Sequence, residues 1–68
     1  MVQIVFEVVE SLDGGFEANA LGHRIHTQGD TLEDLREMVQ DAVRCHFDPD
    51  ERPAMIRLIF TREEVLSA

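Results

Sequence analysis

The chain contains no lysine and a single cysteine, Cys45. One cysteine excludes an intramolecular disulfide, so no covalent staple supports the fold. All six basic residues are arginine and face 14 acids, giving a net charge of −8. Such a field repels phosphate backbones, which argues against direct contact with nucleic acid and suits a basic protein partner. Acidity is equally a common route to solubility. No apolar run approaches the roughly 18 residues that a membrane span needs. There is no apolar leader either, and with one cysteine the chain reads as cytoplasmic. Repeats, linkers and low-complexity tracts are also absent. These absences leave one domain over residues 1–68. A chain of this size buries only roughly 60% of its unfolded surface, so an oligomer interface would help it.

What is present is periodicity. Val2, Ile4, Phe6 and Val8 share one face of a strand over 2–10, and Val5, Glu7 and Val9 share the other. Leu12-Asp13-Gly14-Gly15 is hairpin chemistry. Phe16, Ala18 and Ala20 continue the apolar face on a second strand, with Glu17 and Asn19 outward. Leu21-Gly22-His23 breaks the run, and a third strand is expected over 24–28.

The run Gln28-Gly29-Asp30-Thr31-Leu32-Glu33 then predicts a helix start. Asp30 is placed to cap, Glu33 to close a capping box three residues later, and Gly29 to give the backbone freedom to turn out of a strand. Leu32, Leu35, Met38, Val39, Ala42, Val43 and His46 form one stripe of a helix over 31–47. Asp48-Pro49 ends it, because the residue before proline disfavours the α region. The loop from Asp48 to Pro53 is acidic and rigid. A fourth strand is expected over 55–60, with Ile56, Leu58 and Phe60 on one face and Met55, Arg57 and Ile59 on the other. Thr61 with Glu64 repeats the capping spacing and predicts a last short turn through Leu66.

The element order is therefore β-β-β-α-β. Three sequential strands pair as an antiparallel meander, and the helix crosses one face to deliver the fourth strand beside the first and parallel to it. The expected fold class is a two-layer α+β sandwich, with the helix stripe over the sheet centre.

The chemistry-bearing residues read structurally. His23-X-X-His26 and Cys45-His46 invite a metal, but zinc needs three or four convergent ligands. Adjacent helix residues diverge by roughly 100°, so no metal and no cofactor is expected. His46 is placed to meet the last helix carbonyls, and Cys45 reads as half-buried and inert. The acid pairs Glu33/Asp34, Asp48/Asp50 and Glu63/Glu64 fall at caps and in loops rather than in a cleft that would split their pKa values. Ser11 and Ser67 have no base placed beside them. The chain is thus not expected to be an enzyme.

The second sheet face carries more information. Val5, Val9, Leu21, Met55 and Ile59 all point away from the helix, interrupted by Glu7 and Arg57. Exposed apolar patches mark interfaces. The expected occupant of this face is a second copy, in a homodimer or a higher even-numbered oligomer, and a foreign partner is the alternative.

The chain resembles the HicB-like antitoxin family. The resemblance is carried by the opening Ile4-Val5-Phe6-Glu7 strand, the Asp13-Gly14-Gly15-Phe16 turn and the Thr27-Gln28-Gly29-Asp30-Thr31-Leu32-Glu33-Asp34-Leu35 junction, over roughly residues 4–47. Where many members have a proline-bearing stretch between strands two and three, this chain has Asn19-Ala20-Leu21-Gly22-His23. The resemblance implies a partial RNase H-like domain, the neutralising part of an antitoxin, without the DNA-binding module that many members carry. It implies a small basic HicA-type ribonuclease as partner. The acids placed to steer such a partner are Glu37 and Asp41 on the open helix face and Asp48, Asp50 and Glu51 in the rigid loop. The alternative is a self-associating structural or regulatory protein with a small-molecule site in its dimer groove.

Overall fold

The computed structural model describes residues 2–62 and 64–68. β1 (Gln3–Glu10) is the alternating apolar run, uninterrupted by any turn residue. It ends in a tight turn where Gly14 adopts φ +97° and the Ser11 N–H donates to the Gly15 carbonyl at 2.7 Å. β2 (Phe16–Ala20) and β3 (His26–Gly29) complete the antiparallel meander. α1 (Leu32–His46) crosses the sheet, and β4 (Met55–Thr61) pairs parallel to β1. The sheet order is β3-β2-β1-β4, the topology expected from the sequence.

The core is one cluster. Ile4, Phe6 and Val8 of β1, Ala18 and Ala20 of β2, and Ile25 meet Leu35, Val39 and Val43 of α1. Each fully buried large side chain contributes about 1.5–3 kcal/mol by leaving water. Glu33 and Asp34 lie in the first helical turn, and Arg44 and His46 in the last, so both ends complement the helix dipole.

Several local expectations are corrected. The helix cap is Thr31, not Asp30. Thr31 is extended at φ −128°, and its hydroxyl accepts from the Asp34 N–H at 3.1 Å. Both residues are capping types, but the first helical N–H acceptor is the Thr31 carbonyl, bonded to Leu35 N–H at 2.9 Å. The helix therefore begins one residue later, and Glu33 is out of step for a capping box. Thr31→Ala should cost about 1 kcal/mol in a urea melt. Asp30→Ala should stay within about 0.5 kcal/mol.

Gly29 does not have positive φ, so conformational freedom is not its role. A Cβ there would lie 2.6 Å from the Leu35 nitrogen, so Gly29 exists to let the helix start pack on the end of β3. β3 begins at His26 rather than at residue 24, because Arg24 and Ile25 belong to the loop in which Gly22 takes φ +80°.

The helix lies nearest to β3 and then β2, not over the sheet centre. Its contacts therefore fade toward β4. Ile56 and Leu58 are only half-buried, and Phe60, at the far end of the same face, is 52% exposed. Val2, Met38 and His46 are likewise exposed, at the edges of the stripes that the sequence assigned to the core. Cys45 is exposed rather than half-buried. Thr61 is the last residue of β4, and no helical turn follows among the described residues; Glu63 lies outside them.

Candidate interaction surfaces

Strand order brings two turns to one end of the sheet. Phe16 pairs with Gly29, so the β1–β2 turn and the β3–α1 junction lie side by side. Between them is a cleft of about 440 Å³. Asp13 from the turn, Asp30 and Asp34 from the junction and Glu37 from α1 are among its lining residues. Glu17 of β2 borders it with its carboxylate turned to His26 on the outer face, which brings five acids to or beside the cleft. Phe16 and Met38 supply apolar contact surface. Among the described residues, no arginine reaches ion-pairing distance of any of these five acids. Glu17 alone has a cationic candidate, the His26 imidazole at 3.6 Å.

Of the acids read from sequence as steering residues, the structure places only Glu37 in this cleft. Asp41, one turn further along α1, accepts from the Arg44 guanidinium at 3.1 Å, and both side chains are well solvated. That pair contributes little stability, and it partly neutralises Asp41. Asp48, Asp50 and Glu51 lie at the opposite end of the helix. The Glu51 N–H donates to the Asp48 carbonyl at 2.9 Å, which folds this loop into a turn. The 15 residues of α1, at about 1.5 Å each, separate the two acidic poles. Asp13, Glu17, Asp30 and Asp34 were missed because they come from separate segments. The signal that finds them is the meander itself, which puts the first turn beside the helix start.

The outer sheet face divides in two. Val5 and Val9 are half-buried, and Leu21, Met55 and Ile59 are exposed. Leu21 donates its N–H to the Val5 carbonyl at 2.8 Å, and Ile59 stands opposite Glu7, so all five residues lie toward the β1–β4 side. The β2–β3 side is polar: the His26 Nδ1 lies 2.8 Å from Asn19 Oδ1 and its Nε2 faces Glu17.

The histidines do not converge. His23 and His46 meet edge-on, with ring centroids 6.1 Å apart, and both pack against Phe47, while His26 is on the outer face. Among the described residues, no three His, Cys, Asp or Glu side chains come within reach of one ion. No helix among them is long and apolar enough to cross a membrane.

Fold and surfaces together define a small one-helix α+β sandwich with an acidic cleft and an open apolar half-face. The chain belongs to the UPF0150 family. It is 55% identical over 51 residues to a UPF0150 protein of Archaeoglobus fulgidus, an overlap that spans 75% of this chain and 77% of that protein. It is 43% identical over 65 residues to a UPF0150 protein of Thermotoga maritima, spanning 96% and 91% of the two chains. No family model and no solved structure matches it.

Proposed function

We propose that this chain is a cytoplasmic protein-interaction module of the HicB antitoxin type, which binds and blocks a basic, HicA-type ribonuclease. The observation that carries this reading is the acidic cleft. Three of its acids, Asp13, Asp30 and Asp34, sit on the turn and the strand–helix junction that bear the HicB resemblance, and no arginine of the described residues neutralises the cleft. A basic surface would be drawn in by the net charge of −8 and held where carboxylates and the apolar Phe16 and Met38 coincide. The module acts by occupying its partner, without catalysis and without touching nucleic acid itself.

The two acidic poles then have different duties. Asp48, Asp50 and Glu51 steer from a distance, together with Asp41. Asp13 and Glu37 make contact within the cleft. Charge reversal at Asp48, Asp50 and Glu51 should slow association and leave dissociation nearly unchanged. Asp13→Lys with Glu37→Lys should slow association and also speed dissociation. The measurement is surface-immobilised binding kinetics against the basic protein of roughly 60–90 residues expected from the neighbouring gene, a size near the lower domain limit. Absence of binding at low salt, or binding of duplex DNA at physiological salt, would defeat this reading.

Self-association is the second reading, favoured by the apolar half-face of Leu21, Val5, Val9, Met55 and Ile59. A second copy stacked on that face would cover it.

A further inference from the structure

The two edges of the sheet are protected very differently. β3 is four residues long and polar, and it ends in glycine. β4 is seven residues, Met-Ile-Arg-Leu-Ile-Phe-Thr, with one charge and no proline. Natural edges are blunted by shortness, charge, proline or bulges, and β4 has almost none of these. Its helix-side face is also left open. Arg36, Val39 and Gln40 of α1 face Ile56 and Leu58 across a groove. The groove continues past Val43 and Arg44 to Arg52, Pro53 and Ala54. Its lining holds three of the chain's six arginines and no acid, against the prevailing charge of the molecule.

We infer that the β4 edge pairs antiparallel with β4 of a second copy, joining two four-stranded sheets into one continuous sheet. A two-fold axis perpendicular to the sheet requires antiparallel strands and keeps both helices on one side. The pleat then allows only registers in which opposed residues share a face. Centring on Arg57 opposes two like charges. Centring on Ile59 sets Ile56 against Arg62 and leaves Met55 unpaired. Centring on Leu58 pairs the whole strand, 55–61 against 61–55. In that register Leu58 meets its own copy, and Phe60 of each chain lies against Ile56 of the other. Phe60 thereby covers the groove that α1 leaves open, which accounts for a half-exposed phenylalanine on the core side of the sheet.

Charge supports the same register. β4 ends at Thr61, but a chain continuing extended in this register would bring Glu64 of one copy toward Arg52 of the other, with Arg62 opposite Ala54. The Nε of Arg52 is buried without a hydrogen-bond partner, and among the described residues no carboxylate reaches its guanidinium. Among the described residues Arg52 donates only to the Arg44 carbonyl, at 3.2 Å. The occupant of the arginine-rimmed groove is thus β4 of a second copy, a chain whose net charge of −8 complements the rim. This interface is separate from both the acidic cleft and the outer half-face.

The test uses the full chain. Wild type should have at least twice the 7.8 kDa chain mass by light scattering, and Phe60→Lys should halve that mass while keeping its circular dichroism. Single cysteines at 57, 58 and 59 in a Cys45→Ser background read the register. Opposed residues on antiparallel strands have Cβ atoms about 4.5–5.5 Å apart, close to disulfide reach. Leu58→Cys should therefore crosslink under mild oxidation faster than Arg57→Cys or Ile59→Cys, and Leu21→Lys should not abolish that crosslink. A 7.8 kDa wild type, a folded Phe60→Lys of unchanged mass, or fastest crosslinking from position 57 or 59 would overturn the inference. If Phe60→Lys does not fold, the crosslinking order decides. Loss of mass in Leu21→Lys together with loss of the Leu58→Cys crosslink would likewise overturn it, in favour of stacking on the outer face. Partner capture at the cleft is measured independently, so either reading can fail alone.

Discussion

Leu35→Asp is expected to leave the chain unfolded at room temperature. Leu35 is 0% exposed and sits in the middle of the helix stripe, within the cluster that holds Phe6, Val39 and Val43. The substitution removes apolar packing worth about 2–5 kcal/mol in comparable cores. It also introduces a carboxylate with no cation near it, and an unpaired buried charge adds several kcal/mol or forces water into the core. Marginal stability of about 0.05–0.15 kcal/mol per residue gives a chain of this length roughly 3–10 kcal/mol in total. The loss exceeds the lower part of that range from packing alone and most of it once the charge is counted. Phe6→Asp, also 0% exposed but on β1, should have the same outcome from the opposite layer. Glu37→Ala, two residues from Leu35 but on the open face, should shift stability by less than about 0.5 kcal/mol. Far-UV circular dichroism and urea melts separate the three. A ranking with Glu37→Ala as the most damaging would mean that the sheet and helix stripes do not face each other.

Those two layers were legible because two different periods run through the sequence and each marks one face. Ile4, Phe6 and Val8 repeat every second residue, and Leu35, Val39 and Val43 repeat at helical spacing; all six are buried. The helix crossover over one face, expected to leave the stripe above the sheet centre, then placed β4 beside β1, and that strand order holds although the helix sits off centre. What the periods do not encode is where a helix sits laterally on a sheet. That depends on the bulk at its contacts, and here Gly29 and the small Ala18 and Ala20 let α1 settle over β3 and β2. Phe60 and Met38 fell outside the core for this reason, although their spacing is right. The cap was misplaced by one because Asp30 and Thr31 are both capping types and only backbone geometry separates them. The candidate sites were the least legible. The acidic cleft draws on a turn, a strand, a junction and a helix, and no linear window contains it. The outer apolar half-face was visible because it lies on alternate residues of strands already identified.

Gly29→Ala should destabilise the protein by about 3 kcal/mol, the upper end of what overpacking usually costs. The sign is the informative part. Where glycine has an ordinary φ, alanine normally stabilises by about 0.4–1 kcal/mol, because it restricts the unfolded chain. Gly29 is such a position, since only Gly14 and Gly22 have positive φ among the described residues. Space decides instead. An alanine Cβ would meet the Leu35 nitrogen at 2.6 Å, the Leu35 Cα at 2.9 Å and the Asp34 carbonyl carbon at 3.0 Å. All three are backbone atoms, so no side chain can rotate away. The first turn of α1 must lift off β3, carrying the fully buried Leu35 with it and spreading Asp30 and Asp34 at the cleft mouth. Gly14→Ala is the matched control. Its Cβ meets nothing within 4 Å, so only the left-handed φ of +97° is penalised, by about 1–2 kcal/mol. Urea melts of the two variants should therefore rank Gly29→Ala as the more damaging, and its partner capture at the cleft should fall even at temperatures where it remains folded. A Gly29→Ala variant as stable as wild type would show that the helix start does not rest on the end of β3, and the acidic cleft built on that contact would lose its frame.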